Sequence, residues 1–283
     1  MIVDAHVHFW RLARGVNTAL TLDMGPIHRD REPPDLEPML AAAGVDAVVL
    51  VQASETLGEN LYHLGLAERF GWIAGVVGWL DPASSALDEE VAALRSHPRF
   101  KGVRPVRDDN RSIAWMLDPA LTAGWNRLAA SGLVIDLLVQ DWRELPLALR
   151  LIERHPAARF VLDHCGKPDI AGGHFDGWAK TISLLALNPN LSCKLSGLMN
   201  CAGPGTGADG IERWSDHVLV SFGADRVLWA SDWPPLDLAG DYEGWSAVSD
   251  ALLTACSPQE TAQIRGGTAA RIYGLKREHG GKR

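Results

Sequence analysis

The chain has little that would tie it to a membrane, a nucleic acid or an oxidising compartment. None of its apolar runs approaches the roughly 18–20 residues that a membrane-spanning helix needs. Outside the final KREHGGKR it has no basic cluster, and its formal net charge is -8, which argues against a nucleic-acid partner. Cysteine is scarce: Cys165, Cys193, Cys201 and Cys256 show no C-x-x-C spacing and read as reduced thiols, mostly buried, of a cytoplasmic protein. The first apolar run begins at Ile2, which leaves no room for a signal peptide ahead of it. A glycine-rich turn after that run is also missing. The run ends in His8-Phe9-Trp10, unlike the first turn of a dinucleotide-binding open sheet.

What is present is a regular alternation. Runs rich in β-branched residues occur at Ile2–His8, Ala47–Gln52, Ile73–Trp79, Lys101–Val106, Leu133–Val139, Arg159–His164, Asn190–Leu195 and Arg226–Ser231. Several are continuous apolar blocks, as expected of parallel strands buried on both faces. Helical stripes separate them: Leu36, Met39, Leu40 and Ala43 before the second run, and Trp214, Val218 and Phe222 before the eighth. Ser257 to Glu260 reads as a capping box with proline at the first helical position, and Gly274 closes the last short helix. Eight strands alternating with helices give a single-domain α/β fold, a (β/α)8 TIM barrel over residues 1–275, with a frayed tail at 276–283. The glycine-rich stretch Asn200–Gly210 is expected to be a flexible loop able to cover a site.

In such a barrel the chemistry sits at the C-terminal ends of the strands. Strict alternation along the first strand puts Asp4, His6 and His8 on one face and Val3, Ala5 and Val7 on the other. Three polar side chains on one face of a buried strand need partners or a site. The sixth run ends in Asp163-His164 and the eighth in Ser231-Asp232-Trp233. His6, His8, His164 and Asp232 therefore meet at one barrel mouth. Imidazoles with a carboxylate can hold zinc or a similar ion. Without a metal they can polarise a carbonyl while Asp232 takes a proton from water. Either use suits hydrolysis at an acyl carbon. Trp10 and Trp233 follow strand ends and can wall a sugar ring, while Trp79 and Trp142 fit a site or a core equally well. Arg104 can donate to a ligand oxygen. Gln52, Lys194 and Asp136 carry a weaker signal.

The blocks VDAHVHFW, VQAS, GVVGWLDP, KGVRPV, FVLDHCGKPDI, LSCKLSGL and DRVLWASDWP, in this order, resemble the amidohydrolase superfamily. They are most similar to its family 2 branch of sugar-lactone hydrolases, the L-fuconolactonases and L-rhamnonolactonases. The resemblance implies a (β/α)8 barrel that opens a small-molecule lactone to its hydroxy acid. It makes His6, His8, His164 and Asp232 the catalytic set, also the ligands if a metal is bound, and places Gln52 and Arg104 along the substrate pocket. The branch includes relatives with one divalent ion and relatives without one, so both modes stand. Asp136 takes the strand-five place where binuclear members carry histidine, and Lys101 opens the fourth run instead of ending it, which speaks against two metals. The rival activities are a decarboxylase of the aminocarboxymuconate-semialdehyde type and a pyrone-dicarboxylate lactonase. The latter would draw on Arg11, Arg104 and Arg107.

Overall fold

Each run of β-branched residues stops where a helix takes over, and the strands lie side by side in sequence order. The computed structural model describes residues 1–15, 20–107 and 112–276. Its strands are β1 (Val3–Val7), β2 (Ala47–Val51), β3 (Ile73–Gly78), β4 (Phe100–Val103), β5 (Val134–Leu137), β6 (Arg159–Leu162), β7 (Leu191–Leu195) and β8 (Val227–Trp229). All neighbours pair in parallel, in the order β1 to β8. The connecting helices are α1 (Pro33–Ala42), α2 (Leu57–Arg69), α3 (Leu87–Arg95), α4 (Thr122–Ser131), α5 (Leu145–Arg154) and α6 (Phe175–Ala186). Two helices, α7 (Leu198–Ala202) and α8 (Ala208–Phe222), join β7 to β8, and α9 (Tyr242–Leu252), α10 (Pro258–Ala262) and α11 (Thr268–Ile272) complete the chain. The expected (β/α)8 barrel is therefore the fold. Ser257 and Glu260 form the expected capping box of α10. Gly274, at φ 58°, lies in the left-handed region just past α11.

Apolar side chains divide into two layers. One packs strands against helices, through residues such as Val7, Leu50, Ile135, Leu36, Leu64, Trp125 and Trp178. The other fills the barrel interior with Val3, Ala5, Val49, Val77, Val161 and Leu228, among others, and is joined by Ala269, Ile272, Tyr273 and Leu275 from the C-terminal segment. The chain's end thus plugs the barrel floor. Residues 277–283, most of the tail expected to fray, lie outside the described residues.

The first strand departs from strict alternation. Its register against β2 slips between Asp4 and Val7, the mark of a β-bulge. Val3 and Ala5 consequently join the interior layer, and Asp4 turns outward to α9 instead of sharing a face with His6 and His8. Its fully buried carboxylate accepts hydrogen bonds from the His6 and Ser231 backbone amides and from the Tyr242 hydroxyl, at 3.2, 2.9 and 2.9 Å. It satisfies amides that a bulged ladder leaves unpaired. Burial raises its pKa to about 6 against the pull of these donors. The barrel closes beside it, where Asp232 N donates to His6 O at 3.0 Å and His8 N to Trp233 O at 2.8 Å. The seam of the barrel and the ends of the two chemistry-bearing strands are one place.

The stretch Asn200–Gly210 is less open than its glycines suggest. α7 and the start of α8 take its two ends, and Asn200 Nδ2 donates to Pro235 O at 2.7 Å. Among the described residues no helix is long and apolar enough to cross a membrane.

Candidate active site

His8 donates through Nδ1 to the Val51 carbonyl at 2.9 Å. A carbonyl only accepts, so the proton is on Nδ1 and Nε2 presents a lone pair. His6 Nε2 lies 3.0 Å from that atom. On its other side, His6 Nδ1 lies 2.8 Å from Lys194 Nζ. Burial, then the Lys194 charge, pushes the His6 pKa well below its ordinary value, and burial lowers that of His8. Both shifts favour the neutral imidazole.

His164 and Asp232 are placed by backbone that few side chains adopt. β6 ends at Leu162, and His164, Cys165 and Lys167 follow at φ 51°, 52° and 47°. Asp232 stands at φ 61° just after β8. Positive φ outside glycine costs of order 1 kcal/mol or more and is characteristic of functional sites. Gly197 makes room for the turn, since a Cβ there would lie 2.7 Å from His164 Cβ. His164 Nδ1 meets Ser196 Oγ at 2.9 Å, and burial pushes the imidazole down to about 4. The nearest imidazole nitrogens to the Asp232 carboxylate belong to His8, His6 and His164, at 3.5, 3.7 and 3.8 Å. Burial alone would raise the Asp232 pKa; the histidines, His164 foremost, outweigh it as they charge at falling pH and keep it below the usual carboxylate range, so the group is ionised at neutral pH. Those separations exceed a direct hydrogen bond and leave its oxygens open to a water.

A cavity of about 300 Å³ opens above these groups. His8, Arg104, His164, Lys167 and Asp232 line its polar side; Trp10, Met24, Ile27 and Leu138 are among those on its apolar side. Segment 20–27, not Asn200–Gly210, supplies much of that wall. Of the four substrate contacts expected, the cavity is lined by Trp10 and Arg104 and not by Gln52 or Trp233. Gln52 is spent on Arg104: its Nε2 donates to Arg104 O at 3.2 Å, and its own carbonyl and Oε1 accept from Arg104 Nη2 at 2.7 and 3.2 Å. Trp233 is fully buried, edge-on to Phe9 at 6.0 Å with the Arg31 guanidinium over its ring, because the turn after Asp232 sends it outward. Trp79 and Trp142 also lie outside the cavity. Trp79 donates to Val106 O at 2.9 Å, and the Trp142 ring packs over Gly177.

Beneath His6 lies a charged interior that composition alone does not reveal. Lys194 Nζ pairs with Asp136 Oδ2 at 2.5 Å and Asp163 Oδ1 at 3.0 Å, all three fully buried. Arg104 Nη1 donates to Asp163 Oδ2 at 3.3 Å. The Tyr273 hydroxyl, from the C-terminal plug, donates to Asp136 Oδ1 at 2.8 Å. Burial would raise the Asp163 pKa, but Lys194 and then His6 hold it well below the usual range. Burial raises Asp136 to about 6 in spite of Lys194. Sequence reading marks Lys194 and Asp136 only weakly, and gives Tyr273, in the closing TAARIYGL, no role. Asp163 stands in the DH pair, overshadowed by its neighbour.

Two groups of donors have the spacing for a divalent ion, His6 with His8 and Asp232, and His6 with Asp163 and His164, each within 4.8 Å of one another. Two imidazoles and a carboxylate fit one zinc-like ion in donor type. At the strand-five position Asp136 is committed to Lys194 and Tyr273, which leaves no ligand there for a second ion.

An eight-stranded barrel with two histidines at the end of strand one, one after strand six and an aspartate after strand eight defines a class. The amidohydrolase family model matches residues 3–275, and the chain belongs to that family. It is 39% identical over 284 residues to an L-fucono-1,5-lactonase of Burkholderia ambifaria, covering 98% of this chain and 97% of that one. Two crystal structures of an amidohydrolase from Burkholderia multivorans, one with bound HEPES and one with bound zinc, superpose with TM-scores of 0.90 and 0.89. Both are 34% identical to this chain and cover 98% of it and 100% of their own.

Proposed function

We propose that the protein is a lactonase of the cytoplasm that opens a sugar-acid lactone of the L-fuconolactone or L-rhamnonolactone type. The observation that carries the chemistry is Asp232, ionised at the cavity floor with three imidazoles 3.5 to 3.8 Å away. The relatives support the substrate class. A water held on the Asp232 carboxylate attacks the lactone carbonyl and gives its proton to Asp232, which returns it to the ring oxygen as the ester bond breaks. The neutral imidazoles of His8 and His164 flank that path. Arg104 lines the cavity and brings a guanidinium to donate to a lactone oxygen. Trp10 offers its indole face to the ring. A divalent ion such as zinc, held by His6, His8 and Asp232, would polarise the carbonyl and acidify its bound water.

A dicarboxylated substrate fits this cavity less well. Arg11 is paired with Glu32, and Arg107 with Asp81 beneath Trp115; neither lines the cavity. The test is proton release from a panel of 1,4- and 1,5-aldonolactones, with spontaneous hydrolysis subtracted, with and without chelator. Saturable turnover of a 6-deoxyaldonolactone is expected. Preference for a pyrone dicarboxylate, or release of CO₂ from an aromatic acid, would overturn the proposal.

A further inference from the structure

His6 is placed to serve in two ways that exclude each other. As a ligand beside His8 and Asp232 it must present the Nε2 lone pair, which puts its proton on Nδ1. As a hydrogen-bond donor to His8 it must carry the proton on Nε2. The surroundings favour the second use. The Val51 carbonyl fixes the His8 proton on Nδ1, so the His8 Nε2 lone pair faces His6 Nε2 at 3.0 Å and needs a donor. At the opposite edge of the ring, Lys194 Nζ stands 2.8 Å from Nδ1 and needs an acceptor. Two further groups favour the first use from longer range: Arg104 Nη1 at 3.3 Å from Nε2 and Asp163 Oδ1 at 3.4 Å from Nδ1.

We propose that Lys194, held by Asp136 and Asp163 with the Tyr273 hydroxyl behind Asp136, is a positioning residue that fixes His6 as the Nε2–H tautomer. The donors then run in one direction. Tyr273 and Lys194 donate to Asp136, Lys194 donates to His6, His6 to His8, and His8 to the Val51 carbonyl. Every side chain in the line is at most 7% exposed. Lys194 thereby weakens His6 as a ligand and sets the balance between a metal-bound and a metal-free site. Tyr273 ties that balance to the plug at the barrel floor, since its hydroxyl keeps Asp136 turned toward Lys194.

The inference is tested without substrate, so its failure is distinct from failure of the lactonase reading. In protein labelled with ¹⁵N-histidine, with His6→Gln assigning the signal, the His6 ring nitrogens report the tautomer. The full-length enzyme is expected to show Nε2–H. Lys194→Met is expected to move the proton to Nδ1 and to tighten zinc binding, titrated with the metal alone, about tenfold or more, the scale on which residues behind a ligand act. Should that variant not fold, Lys194→Met with Asp136→Asn keeps the interior charge in balance and is read the same way. Tyr273→Phe is expected to populate the second tautomer in part. A wild-type His6 protonated at Nδ1, or zinc affinity unmoved by loss of Lys194, would overturn the proposal. A wild-type tautomer in Tyr273→Phe would remove Tyr273 from it.

Discussion

The two halves of the barrel interior are built from the same strands and behave in opposite ways. The lower half is small and apolar: Val3, Ala5, Val49, Val77, Val161 and Leu228, closed by the C-terminal segment. The upper half holds His6, Asp136, Asp163 and Lys194, all fully buried. Moving two residues up a strand turns a filling side chain into a charged one, as from Val134 to Asp136 or Val161 to Asp163. The lower half needs only to exclude water and fill volume. The upper half must satisfy every donor and acceptor, since an unpaired charge there costs several kcal/mol. It meets most of that demand by pairing its charges with one another and by borrowing Tyr273 from the floor.

That contrast can be broken from either side. Asp232→Asn should have the largest effect on turnover, a loss of about 10²- to 10⁴-fold in kcat, the range of general acid–base catalysis. It should leave the fold intact, because asparagine tolerates the left-handed backbone at φ 61° at least as well as aspartate. Circular dichroism and thermal melting, run beside lactone turnover, separate the two outcomes. Near-normal turnover would remove Asp232 from its role. Val49→Ala in the lower half should do the reverse. Loss of two buried carbons destabilises by about 2 kcal/mol, while kcat per folded molecule stays unchanged. A melting point unmoved by this change would mean that the floor is not a packed core.

Much of the barrel was legible because its signals are local and repeated. Eight β-branched runs and the stripes between them give strand order without long-range information, and proximity at a strand's C-terminal end gathers His6, His8, His164 and Asp232. What was not legible depends on backbone departures or on distant partners. The bulge that turns Asp4 to Tyr242 inverts the expected face of Val3 and Ala5, yet leaves no mark in the spacing. Gln52 was expected at the substrate, but its amide is consumed by Arg104, a pairing across two strands. The bond from Tyr273 to Asp136 spans 137 positions and joins the turn after α11 to the inside of the sheet. No periodicity encodes it. Strand ends were overestimated at β6 and β8, where the backbone turns left-handed at His164 and Asp232 just past the ladder.

The finest form of the contrast lies in two tryptophans that flank the β1–β8 seam. By sequence Trp10 and Trp233 are alike: each follows a strand end and a chemistry-bearing residue. In the fold Trp10 lines the cavity and anchors its indole N–H on the Arg29 carbonyl at 2.8 Å, whereas Trp233 lies in the packing between Phe9 and Arg31. Trp10→Phe keeps an apolar ring but shortens the platform and drops the anchor to segment 20–31. It should raise KM severalfold, an effect of about 1 kcal/mol, with kcat nearly unchanged. Trp233→Phe should leave KM alone and lower the melting temperature by a few degrees, about what 1 kcal/mol of lost packing produces. The indole Nε1 of Trp233 has no hydrogen-bond partner among the described residues, so the smaller ring forfeits contact area and no polar pairing. If KM rose in both variants, the wall of the cavity would extend across the seam, and the division between an interior that binds and an exterior that packs would fail at that point.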